Sequence, residues 1–310
     1  MRALVLAAGL GTRLHPLTLA RAKAAAAVDG EPLVHRTIRW LVSQGFSDLV
    51  VNLHHKPETI TRVLGDGGDL GARVRYSWES PVLGSAGGPR HALPLLLDAS
   101  AERTAVIVNG DTLTNVDLTA MIDQHRRSGA LVTMALIPNP RPDKYGGVLL
   151  DAHHNALGFT RRGSAETSFH FIGPQVIEAD AFMPLDDGVP AESVLGIYPR
   201  LMEQRRGSVM GYVSDASFHD IGTPMDLLQT SLDLAAADGR PGAPRPGSDV
   251  MIDPSARVDR SVLWDRIRIG AGATLNECVV GDDVHIPAGA SYSRAAIVKG
   301  PDGLIVETLR

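Results

Sequence analysis

The chain has 310 residues, of which 44% are hydrophobic, and a formal net charge of −5. That length suits one large domain or a larger and a smaller one. The apolar fraction supports a full core, and the acidic balance argues against a surface built for nucleic acid. Cys278 is the single cysteine, which excludes an internal disulfide and a multi-cysteine zinc site; a metal here is expected to be a hard ion held by oxygen.

The apolar start, Ala3–Leu10, is too short to span a membrane and lacks the basic start, long apolar core and cleavage site of a signal peptide. No membrane partner and a cytoplasmic location are expected. Ala3–Ala7 reads as a buried strand that breaks at Ala8 into a loop holding Gly9, Gly11, Thr12 and Arg13, with Lys23 shortly after. Glycine lets backbone N–H groups approach a ligand without an intervening Cβ, and two cations beside such a loop can hold phosphate oxygens. The pattern is that of a triphosphate cradle. A G-x-G by itself more often only ends a strand. A dinucleotide-binding loop is disfavoured because the third glycine position of G-x-G-x-x-G is Leu14.

Helix and strand signals then alternate. Pro32–Gln44 has helical apolar spacing and stops at Gly45; Asp48–Leu53 is a strand; Pro57–Leu64 is a helix opened by proline; Arg73–Trp78 alternates as a strand. A glycine-rich turn, Gly84–Gly88, leads into a short helix ending near Leu97. Thr104–Val108 is an apolar strand ending at Asn109-Gly110-Asp111. Leu118–Arg127 is helical and Leu131–Ile137 is a strand. Such alternation implies an α/β fold, with a Rossmann-like, mostly parallel sheet covered on both faces and ligands at the carboxyl ends of its strands. From Tyr145 to Phe218 the pattern loosens into strands at Gly147–Leu150, Ala156–Thr160, Ser168–Ile172 and Ser208–Val213, with a helix near Leu195–Gln204. A further helix starts at Ile221-Gly222-Thr223-Pro224 and runs to about Ala237.

Residues 1–237 are expected to form one domain. Asp238–Asp249 is a linker by composition, with three prolines and three glycines. In residues 250–310 small residues and Gly-Ala pairs recur at about six-residue spacing, the pattern of a short left-handed parallel β-helix. So few coils are expected to dock on the preceding domain or on a second subunit; self-association into a homo-oligomer through this tail is the expectation, since an open coil end wants covering.

With Gly9 to Thr18 (G-L-G-T-R-L-H-P-L-T), Lys23, Gly110-Asp111 and Asp220–Pro224 (D-I-G-T-P) in view, the chain resembles the sugar-1-phosphate nucleotidylyltransferase family. The resemblance implies in-line attack of a sugar 1-phosphate on the α-phosphorus of a nucleoside triphosphate, with Mg²⁺ held by Asp111 and Asp220. It implies Arg13 on the leaving phosphates and Lys23 between the α-phosphate and the sugar phosphate, these two being the catalytic pair. Ala8, Gly9, Gly11, Thr12, Arg13, Glu79, Gly84, Gly88 and Asn109 are implied on the nucleotide side. Lys23, Tyr145, Gly146, Arg161 and Gly173 are implied on the sugar-phosphate side. Taken singly, Asp111 suits an Asx turn and Asp220 a helix cap.

Two departures from the family pattern stand out. Family members commonly carry proline on both sides of the lysine, where this chain has Ala22 and Ala24. Many carry glutamate-lysine where this chain has Thr160-Arg161-Arg162. The tail, with Ser261–Asp265, is similar to those of mannose-1-phosphate guanylyltransferases. The Asn-Leu-His-His and Val-Asn-Gly-Asp segments and Gly87-Gly88 look more like N-acetylmuramate-1-phosphate uridylyltransferases. GDP-mannose-type synthesis is the expectation. Glucose-1-phosphate uridylyl- or thymidylyltransfer, and a non-catalytic nucleotide-sugar sensor, stay open beside it. The paired histidines His54-His55 and His153-His154 would point to opposite faces of a strand and are expected to be structural.

Overall fold

Short apolar runs flanked by turn residues build the first half of the chain, as their β-branched content favours. The computed structural model describes residues 1–97 and 102–309. Its elements are β1 (Arg2–Leu6), α1 (Leu33–Ser43), β2 (Asp48–Leu53), α2 (Pro57–Leu64), β3 (Arg73–Trp78), α3 (Gly84–Leu97), β4 (Thr104–Asn109), α4 (Leu118–Ser128), β5 (Val132–Pro138), β6 (Gly147–Leu150), β7 (Ala156–Thr160), β8 (Phe169–Glu178), α5 (Tyr198–Gln204), β9 (Val209–Val213) and α6 (Pro224–Ala237). The chain divides into two compact units. One comprises Met1–Gly9, Thr37–His55 and Leu64–Phe218; the other comprises Leu10–Arg36, Lys56–Val63 and His219–Arg310.

The first unit is a Rossmann-like nine-stranded sheet with helices. Its main order is β7-β6-β8-β4-β1-β2-β3, with β5 beside β8 and β9 beside β5. Strands β4, β1, β2 and β3 are parallel neighbours, whereas β8 runs antiparallel to β4, β5 and β6, so the sheet is mixed. Leu4, Val50, Ile107, Met134, Ile177, Phe182 and Tyr198 are buried in its core.

Two elements differ from their expected form. Gly84–Gly88 is not a separate turn; it is the first part of α3. Gly84 swings the chain in with φ 77°, and the N–H groups of Ala86 and Gly87 both donate to the Ala191 carbonyl. Orphan helix donors are thereby satisfied, and the helix begins early. Strand β8 runs past the expected Ile172 because Gly173, with φ 110°, carries the chain through a register shift between Phe171 and Gln175.

The second unit holds the segment after Gly9, the start of α1, most of α2, and the C-terminal part of the chain from His219. An Ala27–Val28/Glu31–Pro32 hairpin turns at Asp29-Gly30, both with positive φ, as a two-residue hairpin requires. Asp238–Asp249 has no helix or strand and is fastened: Arg240 Nη2 donates to Asp29 Oδ2 at 2.8 Å and the Arg245 N–H donates to Asp29 Oδ1 at 2.7 Å.

After that stretch three sheets stack coil on coil, parallel except where Ala295–Gly300 pairs antiparallel with Gly303–Thr308. Ile252, Ile269 and Ile286 align in one, and Val258, Leu275 and Tyr292 in another. The coil repeat is 17 residues, and side-chain bonds link neighbouring coils at that separation. Asp249, Arg266 and Asp283 occupy one left-handed corner; Arg260, Glu277 and Arg294 occupy another. Non-glycine residues adopt that conformation rarely. Here Arg266–Asp283, Arg268–Asp249, Arg260–Glu277 and Arg294–Glu277 bonds accompany it. Cys278 is buried in the coil interior. Among the described residues no helix is long and apolar enough to cross a membrane.

At the amino ends of the parallel strands, Asp48 on β2 accepts from Arg2 Nε on β1 at 2.7 Å and from Arg73 Nη2 on β3 at 2.8 Å, with Arg75 Nη2 at 3.3 Å. Burial pushes the carboxyl up, but the hydrogen bonds from Arg73 and Arg2 and the charges of Arg75 and Arg2 outweigh it and bring its pKa down to about 2. A carboxylate depressed on folding stabilises above its unfolded pKa and loses that contribution as pH falls through the folded one. Asp48→Asn is expected to cost about 1 kcal/mol at pH 7, after allowance for solvent screening. The gap from the parent protein closes between pH 4 and 2, measured by urea unfolding across pH.

Candidate active site

Parallel pairing of β1 with β4 sets Leu6 opposite Asn109. Ala7–Gly9 and Gly110–Asp111 therefore leave the same carboxyl edge of the sheet. Gly110 N–H donates to the Leu6 carbonyl at 2.9 Å, and a Cβ there would stand 2.9 Å from that oxygen, so only glycine fits.

The start of the loop after β1 is braced by a side chain. Asn52, 2% exposed at the end of β2, accepts from the N–H groups of Ala7 and Ala8 at 2.6 and 3.2 Å. Its amide donates to Glu79 Oε1 at 2.6 Å, and Glu79 Oε2 accepts from the Leu83 N–H at 2.7 Å. One carboxylate thus links the loop after β1, the end of β2 and the entry to α3. Glu79 is itself 4% exposed. The closest approach allowed by Gly88 is that of Glu79, whose Oε1 would lie 2.5 Å from an added Cβ. Gly84 makes room for Glu192 Oε1 and the Ala191 carbonyl, at 2.7 and 2.8 Å from the same test position.

Farther along the first unit, Gly173 sits against Asn109 Nδ2 and Thr112 Oγ1, each 3.1 Å from where its Cβ would be. Asn109 and Gly173, expected on different substrates, are neighbours. Tyr145 stacks on His170 with ring centroids 4.3 Å apart, and Phe218 meets both rings edge-on. Burial pushes the His170 imidazole down, keeping it neutral at pH 7. Gly146 approaches the Thr160 carbonyl, and Arg161 is exposed. His54 Nδ1 bonds the Glu79 carbonyl, and the backbone of His153 and His154 turns on Asp151.

In the second unit Gly11 has φ 63°, and a Cβ on it would meet Thr18 Cγ2 at 2.8 Å and Lys23 Cβ at 3.1 Å. Glycine is thus needed both for the turn and for the close approach of Lys23. Thr12 and Arg13 follow in a 3₁₀ turn, exposed, while Leu14 and Leu17 are buried. Arg13 and Asp220 converge over Gly222: a Cβ there would lie 3.0 Å from Arg13 Nη1 and 3.2 Å from Asp220 Oδ2. Thr223 and Asp226 form a capping box that starts α6 directly after this glycine.

Asp111 and Asp220 are half-buried carboxylates, and among the described residues no group of three or more His, Cys, Asp or Glu could hold a metal. Either carboxylate suits a hard ion that completes its shell with phosphate oxygens and water.

Residues 2–237 match the family described as nucleotidyl transferase. The chain belongs to that family. Residues 247–293 of this transferase match a GlmU-like C-terminal hexapeptide region. The mannose-1-phosphate guanylyltransferase of Mycobacterium tuberculosis is 28% identical over 94% of this chain and 83% of its own length. The N-acetylmuramate alpha-1-phosphate uridylyltransferase of Neisseria meningitidis serogroup B is 32% identical over 74% of this chain and 96% of its own. In fold, the transferase is similar to the crystal structure of HddC from Yersinia pseudotuberculosis, with a TM-score of 0.65 and 21% identity, covering 75% of this chain and 99% of that one.

Sequence reasoning about this nucleotidyl transferase missed Asn52, His170 and Phe218. Asn52 carried a signal: it is the one polar residue within the apolar run Leu49–Leu53, where a buried amide must find partners. The packing of His170 and Phe218 against Tyr145 carried none, because three distant segments supply it.

The two cradle glycines are expected to respond differently to alanine. Apart from its own chain neighbours, no described protein atom lies within 4 Å of a Cβ on Gly9, whereas Gly11 has positive φ and tight contacts. Gly11→Ala is expected to cost about 1–2 kcal/mol in backbone strain and to slow turnover at least tenfold by displacing Lys23 (about 1.4 kcal/mol per factor of ten). Gly9→Ala leaves the melting temperature unchanged and raises the nucleotide KM. Calorimetry paired with steady-state kinetics separates the two. Glu79→Gln sets an amide N–H₂ against either Asn52 Nδ2 or the Leu83 N–H, so a buried donor loses its acceptor; a stability loss of about 1–3 kcal/mol is expected from denaturant unfolding.

Proposed function

We propose that this nucleotidyl transferase joins the nucleoside monophosphate part of a nucleoside triphosphate to a sugar 1-phosphate and releases pyrophosphate, with GTP and mannose 1-phosphate as its pair. The observation that carries the activity is the seat of Lys23 against Gly11, in a segment whose Arg13 converges with Asp220 over Gly222. Arg13 presents a planar fork of donors to the leaving β- and γ-phosphates. Lys23 sets its ammonium where charge grows as the sugar-phosphate oxygen approaches the α-phosphorus. The attacking phosphate is already an anion, so no general base is needed. Backbone N–H groups from Gly9 to Thr12 line the phosphates, while the Ala8 N–H is held by Asn52. Mg²⁺, with Asp111 and Asp220 as its proposed ligands, neutralises phosphate charge when bound. Glu79, Gly84, Gly88 and Asn109 belong to the nucleoside side, with Glu79 acting through Asn52 on the loop. Tyr145, Gly146 and Gly173 face the sugar, with Arg161 contacting its phosphate.

The substrate choice is supported by coverage: the mycobacterial mannose-1-phosphate guanylyltransferase aligns with 94% of this chain, tail included. The meningococcal uridylyltransferase, at higher identity over 74% of the chain, favours UTP with N-acetylmuramate 1-phosphate as the second reading. Self-association through the tail is part of the proposal. Met251 and Ile252 are exposed on the first coil, and an unchanged oligomeric state in light scattering after Met251→Glu and Ile252→Glu removes this part.

A pyrophosphate-release assay of each nucleoside triphosphate against a set of sugar 1-phosphates tests the rest. GTP with mannose 1-phosphate is expected to give the highest kcat/KM, a chelator to abolish it, and Mg²⁺ to restore it. Lys23→Ala is expected to lower kcat by about 10²–10³, the loss typical of one transition-state contact. A parent protein that binds nucleotide sugars yet releases no pyrophosphate with any pair is a sensor, and the proposal falls.

A further inference from the structure

Lys23 stands in a run of alanines, Ala22 and Ala24–Ala27. Alanine does not fix φ, so the run, although buried, has little backbone stiffness of its own. The Leu33 N–H holds its far end through the Ala26 carbonyl at 2.9 Å, and Arg21 holds its start. Arg21 Nε and Nη2 donate to Asp282 Oδ2 and Oδ1, each at 2.5 Å, and Nη2 also donates to Asp265 Oδ2. The guanidinium lies over the Trp264 ring, 5.3 Å from its centroid. Trp264 is fully buried, and its indole N–H donates to the Ala27 carbonyl at 3.0 Å. The coils after the proline-rich stretch therefore grip both ends of the segment that carries Lys23, at residue 21 and at residue 27. Inside the grip, the Ala22 N–H donates to Thr59 Oγ1 at 3.0 Å. The Ala25 and Ala26 N–H groups close a 3₁₀ turn on the Ala22 and Lys23 carbonyls at 2.9 and 3.1 Å. Arg21 is 8% exposed and faces two carboxylates. A bidentate pair of this kind fixes direction as well as distance.

We propose that Arg21 is a positioning residue, and that the coiled tail, through Asp282, Asp265 and Trp264, holds the alanine run so that the Lys23 ammonium is aimed. The proposal rests on the role given to Lys23 above. It makes the tail part of the working enzyme, since a displacement of about 1 Å at a transition-state contact can cost about a hundredfold in rate.

The test uses the full chain with the best substrate pair from the pyrophosphate assay, together with hydrogen–deuterium exchange of the peptide covering residues 17–27. Asp282→Asn and Arg21→Met are expected to lower kcat about ten- to a hundredfold and to leave the nucleotide KM within about twofold. Exchange at the Ala25 and Ala26 amides should quicken about tenfold or more. Arg21→Lys, which keeps the charge and loses the fork, should fall between these variants and the parent. Asp249→Asn, which weakens the exposed pair with Arg268, should change neither readout. Should Arg21→Met fail to fold, Arg21→Lys and Asp282→Asn decide the matter. A kcat within twofold of the parent in folded Asp282→Asn, or unchanged exchange across residues 17–27, overturns the proposal. If the parent turns over no substrate pair, the assigned activity fails, and the exchange comparison still decides whether the tail holds the run.

Discussion

The buried amide of Asn52 is the point from which the carboxyl edge of the first unit's parallel strands is set. Its oxygen takes two consecutive backbone N–H groups, Ala7 and Ala8, and its nitrogen is held by Glu79. Neither N–H has a strand partner once the chain leaves β1, and an unsatisfied buried donor costs about 1–3 kcal/mol. The amide removes that cost and fixes the exit angle of the loop. Glu79 passes the constraint to the Leu83 N–H and hence to the start of α3. A polar network this well satisfied specifies one arrangement, because any slip leaves a donor or acceptor bare in a low-dielectric interior.

Charge does comparable work in the second unit. Arg21 with Asp265 and Asp282, and Asp29 with Arg240 and the Arg245 N–H, are buried or half-buried groups whose partners come from far along the chain. Such pairs add little net stability once desolvation is counted, but removing one partner strands the other. Their use is to select register. The 17-residue coil repeats the device on its surface, where arginine and acid alternate from coil to coil at left-handed corners.

Glycine has three separate uses in this chain. Gly11 supplies a left-handed turn and lets Thr18 and Lys23 approach; Gly110 lets β4 end against the Leu6 carbonyl; Gly88 lets Glu79 reach Asn52. Gly9 differs, since open space surrounds its Cβ position among the described residues. Identical residues in one signature are therefore under different constraints, and only contacts distinguish them.

Local signals in the sequence were enough for the elements whose physics is local. The strand Asp48–Leu53, the proline-opened helix Pro57–Leu64 and the Thr223-Pro224 start of α6 emerge where residue period and caps put them. The G-L-G-T-R signature, Lys23, Gly110-Asp111 and Asp220 were equally legible as residue types, and the family match over residues 2–237 agrees with the family they resemble. The mixed direction of the sheet, the Asn52–Glu79 link, the Tyr145–His170–Phe218 cluster and the grip of Trp264 and Asp282 on the alanine run were not legible. Each joins residues far apart in the chain, and no local periodicity records which distant partner a buried polar or aromatic group will meet. Asp238–Asp249 reads as a linker from its prolines and glycines, and what the composition does not record is that Arg240 and the Arg245 N–H tie it to Asp29. Sequence by itself determined the chemistry available and the order of the elements. Tertiary structure decided which of those groups are held in place, because fixing a side chain requires satisfied partners on several sides at once.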